Sequence, residues 1–547
     1  MRHRQYLSGA RGPRSIGARR VYRDALAGEP AVGPSKTKGV AAMTQTVLSW
    51  VRAKDHSLDA WLGRLSVLLP WPAIAFLFFF FGRLWLRALA YPFQLDYGES
   101  SVLHASLDLL RGQPVYPHLG GYPYVATPYA PLYILLNALG LRLAGTGFFA
   151  GRLISLLSGL ATAYLAALIV KRETGSRWAA ALSAGLIVSV AYFSWWTVLV
   201  RIDALAWALS LLAFWLFLRG RLTWAVVACA AAIMTRQSAV AAPAAIILAL
   251  LLERRRRQAG AAFAGLLALV AAAFLLTRAT MGGGFYQHAV ALPAHSGWLW
   301  WPLRFAGGLA LSNWPALAGL GWLGACWGLA RRQSGQDRRR AGLGLYFLIA
   351  WAISLTAGKI GAGPNYFVEP LILACLSAAL VYHLARQASR PAGLFVSVAI
   401  SAQLIYMALN VGGLLSYVTA PASAPGSVAV LARLAETPGP VICEDFSLLD
   451  LAGKDVLLEP LEFTQMVRAG LADPRPVLDD VRRGRFALIV MRMDPWHPPR
   501  LPGYTDYGWG GWYAPLVDEI ARSYRLDQQV DGYYLLRPGA AERGSTK

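Results

Sequence analysis

Acidic side chains are scarce over most of this 547-residue sequence: the first 417 positions hold 12 Asp and Glu against 38 Lys and Arg. Charge of any sign is thin, 15% of residues, while 56% are hydrophobic. A soluble domain carries roughly 25% charged residues, so most of this chain cannot be folding in water. Cysteine is equally sparse. Cys229, Cys326 and Cys375 fall inside apolar runs and Cys443 stands alone near the C-terminus, which excludes a disulfide framework and any cysteine-based metal spacing. Residues 1–45 are rich in Arg, Gly and Pro but lack an apolar core followed by a small-residue cleavage site. They read as a disordered cytoplasmic tail and not as a secretory signal, with Met43 a second candidate start.

What the sequence does have is long apolar runs. Windows 66–90, 148–170, 204–218, 260–277 and 391–409 are the expected crossings of a hydrocarbon layer of about 30 Å, at about 1.5 Å per helical residue. The basic surplus would suggest nucleic acid in a soluble protein, but its placement excludes that reading. Twelve basic residues precede the first run, and sixteen more lie in five short connections: 171–177, Arg219 with Arg221, 253–257, 331–340, and Arg386 with Arg390. This is a positive-inside pattern. With all five connections cytoplasmic, the chain is expected to be an α-helical polytopic membrane protein of about eleven spans by this charge count. Residues 1–65 form the basic tail, 66–417 the membrane domain with a large external loop at 91–146, and 418–547 an external domain. Parity of the spans lays PLYILLNALGLRLAG (131–145) along the outer interface as an amphipathic helix, and GESSVLHASLDLLRGQ (98–113) reads as a second one.

Ionisable residues outside the cytoplasmic connections are costly near hydrocarbon, so each is a site candidate with a partner to be found. The topology puts Asp96, Glu99, Arg201, Asp203, Arg236 and Lys359 at one level, the outer membrane boundary, where they would form a charged cavity open to the outside. Asp96 and Glu99 lie in FQLDYGES. The alternative for Asp96 is a solvated loop carboxylate; for Glu99 it is a helix N-terminus, where an acid is stabilised by the dipole. Arg201 and Asp203 in VLVRIDALAW could simply neutralise one another, and Arg236 in MTRQSA marks either a snorkelling side chain or a re-entrant turn. The turn GKIGAGPNYFVEP carries Lys359, Asn365, Tyr366 and Glu369, and its backbone amides with one Lys could hold a phosphate.

These residues, in this order, resemble the GT-C glycosyltransferases of the protein O-mannosyltransferase and aminoarabinose-transferase type, most closely the RgtA/B/C/D-like branch. An acidic motif follows the first span (Asp96 to Glu99), a Pro and Tyr stretch follows in the same loop (TPYAPLYILL, 127–136), a carboxylate opens a later span (Asp203), and a basic residue splits a hairpin (Arg236). Similarity covers about residues 66–420. Many members carry two adjacent acids where Tyr97 and Gly98 here separate Asp96 from Glu99. The resemblance implies transfer of a hexose or pentose from a polyprenyl-phosphate donor to a hydroxyl of a glycan, lipid or protein acceptor, at the outer face of the cytoplasmic membrane, with inversion. It implies Asp96 as base with Glu99 assisting or orienting it, and Arg201, Arg236, Lys359 and Tyr366 on the lipid phosphate, supported by Asp203, Asn365 and Glu369. No cofactor is implied and no metal ligands are assigned; a divalent ion has no motif of its own here. A flippase of lipid-linked saccharide and a non-catalytic assembly protein are the rival readings, the first weakened by the absence of an internal repeat.

Residues 418–547 change character, with 14 basic and 17 acidic residues. After a Pro- and Ser-rich junction (TAPASAPGS), VICED, DVLLEP, FALIVMR and GYYLLRP read as strands, and PVLDDVRRG and WYAPLVDEIARSY as helices, which suggests a small α/β domain. The aromatic segment from Met491 to Tyr513 suits either stacking on sugar rings or an ordinary packed loop. The topology predicts that an alkaline phosphatase fusion is active after Lys547 and inactive after Arg257; an inactive C-terminal fusion would invert the scheme.

Overall fold

The computed structural model describes residues 60–330, 335–411, 424–500, 505–508 and 511–539. The basic tail before residue 60, most of the Pro/Ser junction and part of the 331–340 connection lie outside the described residues. Contacts gather Leu62–Lys547 into one unit. Among the described residues six helices are long and apolar enough to cross a membrane: Ala60–Ala90, Phe149–Thr174, Arg256–Met281, Arg340–Gly358, Pro364–Ala388 and Arg390–Leu409. Six shorter apolar helices accompany them. In chain order the helices up to the C-terminal domain are α1 (Trp71–Ala90), α2 (Gly98–Leu110), α3 (Pro131–Ala144), α4 (Phe149–Thr174), α5 (Arg177–Ser189), α6 (Ala191–Trp196), α7 (Asp203–Leu218), α8 (Leu222–Ile233), α9 (Ala241–Leu252), α10 (Arg256–Met281), α11 (Leu292–His295), α12 (Trp300–Asn313), α13 (Pro315–Ala330), α14 (Gly335–Ser354), α15 (Val368–Ala388) and α16 (Arg390–Leu409). Helix α15 is the most enclosed of the long ones and packs against α4, α5, α13, α14 and α16.

Several expected spans are broken, and each break has its freed backbone groups satisfied. The helix expected over 306–330 divides at Trp314, because Pro315 lacks an N–H and disfavours helix in the residue before it. Gln403 of α16 closes the gap by donating to Asn313 O (2.8 Å) and accepting from Ala316 N–H (3.0 Å). The expected span 178–197 breaks after Ser189. There the Ser194 hydroxyl donates to Val188 O (2.5 Å) and Trp85 donates to Ser194 O (3.0 Å). Irregular backbone at membrane depth survives only where protein supplies such partners. The Thr197–Ile202 stretch lies flat on α4 because Gly151 and Gly159 offer no Cβ; one added there would collide with Val200 and Thr197.

Residues 424–539 build α17 (Pro425–Glu436), α18 (Ser447–Leu451), α19 (Pro460–Arg468), α20 (Arg475–Arg482) and α21 (Ala514–Ser523) around a four-stranded sheet. The strands are β1 (Val441–Cys443), β2 (Leu488–Met491), β3 (Tyr524–Val530) and β4 (Tyr533–Pro538) in spatial order β1-β2-β4-β3, with β1 parallel to β2 and the other pairs antiparallel. The strand expected at DVLLEP joins no sheet. Its backbone pairs instead with the long loop between α2 and α3, Tyr124 N–H to Leu457 O (2.8 Å) and Glu459 N–H to Tyr124 O (3.0 Å), before Pro460 starts α19. The same loop lends Tyr124 and Ala126 to one face of the domain's core and Val125, beside Phe93 from the segment after α1, to the other. In the aromatic segment Tyr507 and Trp512 are buried in that core, while Trp496 is exposed.

A buried histidine pins the loop from the opposite side. His288 follows α10, accepts the Thr127 N–H at Nδ1 (2.9 Å) and donates from Nε2 to Pro117 O (2.7 Å), an arrangement available only to the neutral ring. Burial, with His118 nearby, pushes its pKa down to about 4. Because the folded value lies below the free value, the stabilisation is complete above pH 6.5 and is lost as pH falls toward 4. At pH 4 the loss should be on the order of 3 kcal/mol. Thermal melting of the wild type and His288→Gln from pH 7 to pH 4 isolates it: the gap between them should narrow on acidification, and a constant gap would contradict the assignment.

Candidate active site

The site is organised by an arginine that no motif announced. Arg152, in the second turn of α4, is fully buried. Its Nη1 donates to Ala88 O (2.7 Å) and Tyr91 O (2.6 Å), its Nη2 to Phe93 O (2.6 Å), and its Nε and Nη2 to the two oxygens of Glu99 (2.9 and 2.8 Å). Glu99, also fully buried, accepts in addition from Val200 N–H (2.8 Å) and Leu95 N–H (2.5 Å). The end of α1, the loop behind it, the start of α2 and the irregular strand before α7 are thereby tied to one ion pair. Arg152 was visible in the sequence only as one more charge in an apolar run.

Three residues before Glu99, Asp96 points the other way and keeps 28% of its side chain exposed. Its Oδ1 accepts from Arg201 Nη1 (2.9 Å) and Gly98 N–H (3.1 Å), and among the described residues its Oδ2 carries no hydrogen bond. The Arg201 guanidinium lies directly on Gly98, where a Cβ would overlap it, so the glycine between the two acids is what admits the arginine. Arg201 Nε is 3.9 Å from Asp203 and is buried without a hydrogen-bond partner. Asp203, at the start of α7, accepts from Asn365 Nδ2 (2.8 Å) and faces Arg236 Nη1 at 3.4 Å.

Arg236 projects from the non-helical stretch between α8 and α9. That stretch is held to the first loop by Leu132 N–H to Met234 O (2.9 Å) and by Gln237, which donates to Pro128 O and Ala289 O (2.9 and 3.2 Å). Its guanidinium stacks over the Tyr366 ring at 4.6 Å. Asp96, Arg201, Asp203, Arg236, Asn365 and Tyr366 therefore form one continuous chain of contacts. Glu369 lies one step further, accepting from the Tyr346 hydroxyl (2.7 Å) within electrostatic reach of Arg236. Lys359 stands apart: its backbone bridges to Trp298, and among the described residues its ammonium makes no ion pair. No three His, Cys, Asp or Glu side chains among the described residues converge in a metal-holding group.

The C-terminal domain closes over this chain. Leu461 N–H, in the first turn of α19, donates to the Tyr97 hydroxyl (3.3 Å). Seven residues after Tyr97, His104 of α2 meets both oxygens of Asp450 (3.1 and 3.2 Å) and lies 3.4 Å from Asp108, while Arg111 approaches Asp450 at 3.4 Å. Burial opposes protonation of His104, but the carboxylates outweigh it and its pKa is raised. None of these contacts between the domains was signalled by sequence spacing.

The sequence model of the family described as dolichyl-phosphate-mannose-protein mannosyltransferase matches residues 127–279, a stretch that contains Arg152, Arg201, Asp203 and Arg236. Two solved structures of ArnT from Cupriavidus metallidurans share the fold. The one bound to undecaprenyl phosphate has a TM-score of 0.56 at 14% identity, covering 84% of this chain and 96% of that one. The apo form has a TM-score of 0.53 at 16% identity, covering 83% and 95%. No curated protein matches the chain in sequence. The GT-C resemblance read from the sequence is thus met in the fold.

Removing one member of a buried ion pair strands the other and costs about 3–5 kcal/mol. Glu99→Gln should therefore lower the melting temperature sharply in detergent, whereas Asp96→Asn, at a partly exposed position whose arginine also faces Asp203, should shift it less. Equal melting temperatures for Glu99→Gln and the wild type would remove the organising role from this pair.

Proposed function

We propose that the protein transfers a hexose or pentose from a polyprenyl-phosphate donor to an acceptor hydroxyl at the outer face of the cytoplasmic membrane, inverting the anomeric centre. The observation that carries the reading is the contact chain Asp96–Arg201–Asp203–Arg236, which runs from a carboxylate with a free oxygen to two buried guanidinium groups. An ArnT of the same fold has been solved with undecaprenyl phosphate bound, and the mannosyltransferase family match spans the two arginines.

The chemistry follows from the two ends of this chain. An acceptor hydroxyl is a poor nucleophile, so Asp96 Oδ2 takes its proton while the acceptor oxygen bonds to the anomeric carbon from the face opposite the phosphate. The bond from that carbon to the phosphate oxygen breaks, and its electron pair leaves with the lipid phosphate. The growing negative charge meets guanidinium donors already in place, Arg201 through its unpartnered Nε and Arg236 over Tyr366. As Arg201 turns toward the phosphate it releases Asp96 Oδ1, leaving the carboxylate free of the guanidinium as it takes the acceptor's proton. Asp203 and Asn365 keep the arginines aligned, Glu99 orients the Asp96 loop through Arg152, and Lys359, on the glycine-rich turn, supplies a flexible cation for the bound phosphate.

The test is incubation of purified full-length protein with radiolabelled polyprenyl-phosphate sugars, scoring release of lipid phosphate. Asp96→Asn should reduce turnover at least about 100-fold while donor binding persists. Arg236→Ala and Lys359→Ala should weaken donor binding instead. Near wild-type turnover in Asp96→Asn would remove Asp96 from the base role, and no release of lipid phosphate by the wild type would end the reading and favour a flippase.

A further inference from the structure

Helix α19 approaches two separate parts of the membrane domain at the site. Its Leu461 N–H bonds to Tyr97, beside Asp96. Its Gln465 amide lies so close to Gly361, in the glycine-rich turn, that a Cβ added there would stand 2.9 Å from Nε2. Between them, one residue after Leu461, Glu462 lies within electrostatic reach of Tyr129, the ring over which Arg201 lies at 6.0 Å. The glutamate is therefore near the Asp96–Arg201 pair while belonging to the other domain.

The two acids of this helix differ in what they do. Glu459 is the N-cap: it accepts from Leu461 N–H (3.3 Å) and from Glu462 N–H. Glu462 caps nothing. It is 5% exposed, and its Oε2 is buried with no hydrogen-bond partner. A buried polar atom left unpaired is destabilising by about 1–3 kcal/mol, which a packed helix start would shed unless a ligand supplies the partner. Burial pushes the Glu462 pKa up, with the second buried acid Glu459 beside it, which favours the carboxylic acid, a form with one donor and one acceptor. That pairing suits two adjacent hydroxyls of a sugar ring, which a lone serine or threonine hydroxyl cannot match.

We infer that Glu462 grips a vicinal diol of a carbohydrate acceptor, so that acceptor choice resides in the C-terminal domain; the inference rests on the sugar-transfer reading above. The lipid donor would be held by Arg201 and Arg236 of the membrane part, which leaves the acceptor to the domain that carries Glu462 and meets Tyr97 beside Asp96.

The experiment titrates full-length protein in nanodiscs with two kinds of probe: methyl glycosides of glucose, galactose, mannose and xylose, and undecaprenyl phosphate. The wild type should bind at least one glycoside. Glu462→Leu should weaken that binding about tenfold or more, as expected for a lost buried hydrogen-bonding pair. Glu462→Gln, which keeps one donor and one acceptor, should stay within about threefold of the wild type. Undecaprenyl phosphate affinity should be unchanged in both variants. Glycoside binding that survives Glu462→Leu, loss of both ligands together, or no glycoside bound by the wild type overturns the inference. A wild type that binds glycoside in the Glu462-dependent way but not undecaprenyl phosphate would sink the donor reading alone.

Discussion

The rest of the site depends on the buried contact between Arg152 and Glu99. A guanidinium removed from water needs its donors used and its charge matched, and here three backbone carbonyls and one bidentate carboxylate do both. Because the carbonyls belong to Ala88, Tyr91 and Phe93, the chain leaving α1 has one path; because the carboxylate also takes Val200 N–H, the strand leading to Arg201 has one as well. Asp96 and Arg201 are brought to 2.9 Å as a by-product of two anchors that themselves contact neither group's charge.

The charged chain beyond that anchor is balanced at rest. Asp96 and Asp203 face Arg201 and Arg236, so the cluster is held without an anion in a setting where an unmatched charge would be expelled. Balance is kept by single contacts at 2.9, 3.4 and 3.9 Å and not by bidentate pairs, which leaves guanidinium donors unspent. In the proposed reaction a phosphate competes for those donors, and it competes better as its charge rises on bond cleavage. Catalysis of this kind needs the donors fixed beforehand, which is what the satisfied breaks at Ser189 and between α8 and α9 provide.

Much of this cluster was legible in the sequence because charges in apolar runs are rare enough to be read one by one. Topology alone grouped Asp96, Glu99, Arg201, Asp203, Arg236 and Lys359; Asp96, Arg201, Asp203 and Arg236 do touch, whereas Glu99 turns to Arg152 and Lys359 stands apart, and Asn365 and Tyr366 of the glycine-rich turn join the chain in its place. What could not be read was pairing across distance. Nothing in FQLDYGES says that Glu99 turns inward to a residue 53 positions away while Asp96 turns outward. The interrupted spans were hidden for a related reason: Gln403 and Ser194 make the breaks tolerable, and a run of apolar letters does not show which polar residue will serve its neighbour. DVLLEP has the composition of a strand and is extended at Leu458, but its partner is Tyr124, far back in the chain. For the same reason the roof over the site, with Glu459 and Glu462, had no signal short of the folded contacts.

The central claim is that the two arginines beside Asp96 and Asp203 receive a lipid phosphate. A cryo-electron microscopy map of the full-length protein in nanodiscs with undecaprenyl phosphate examines it directly. The account predicts phosphate density within hydrogen-bond distance of Arg201 and Arg236, with Arg201 drawn off Asp96. Phosphate density elsewhere, with the Asp96–Arg201 contact undisturbed, would contradict it.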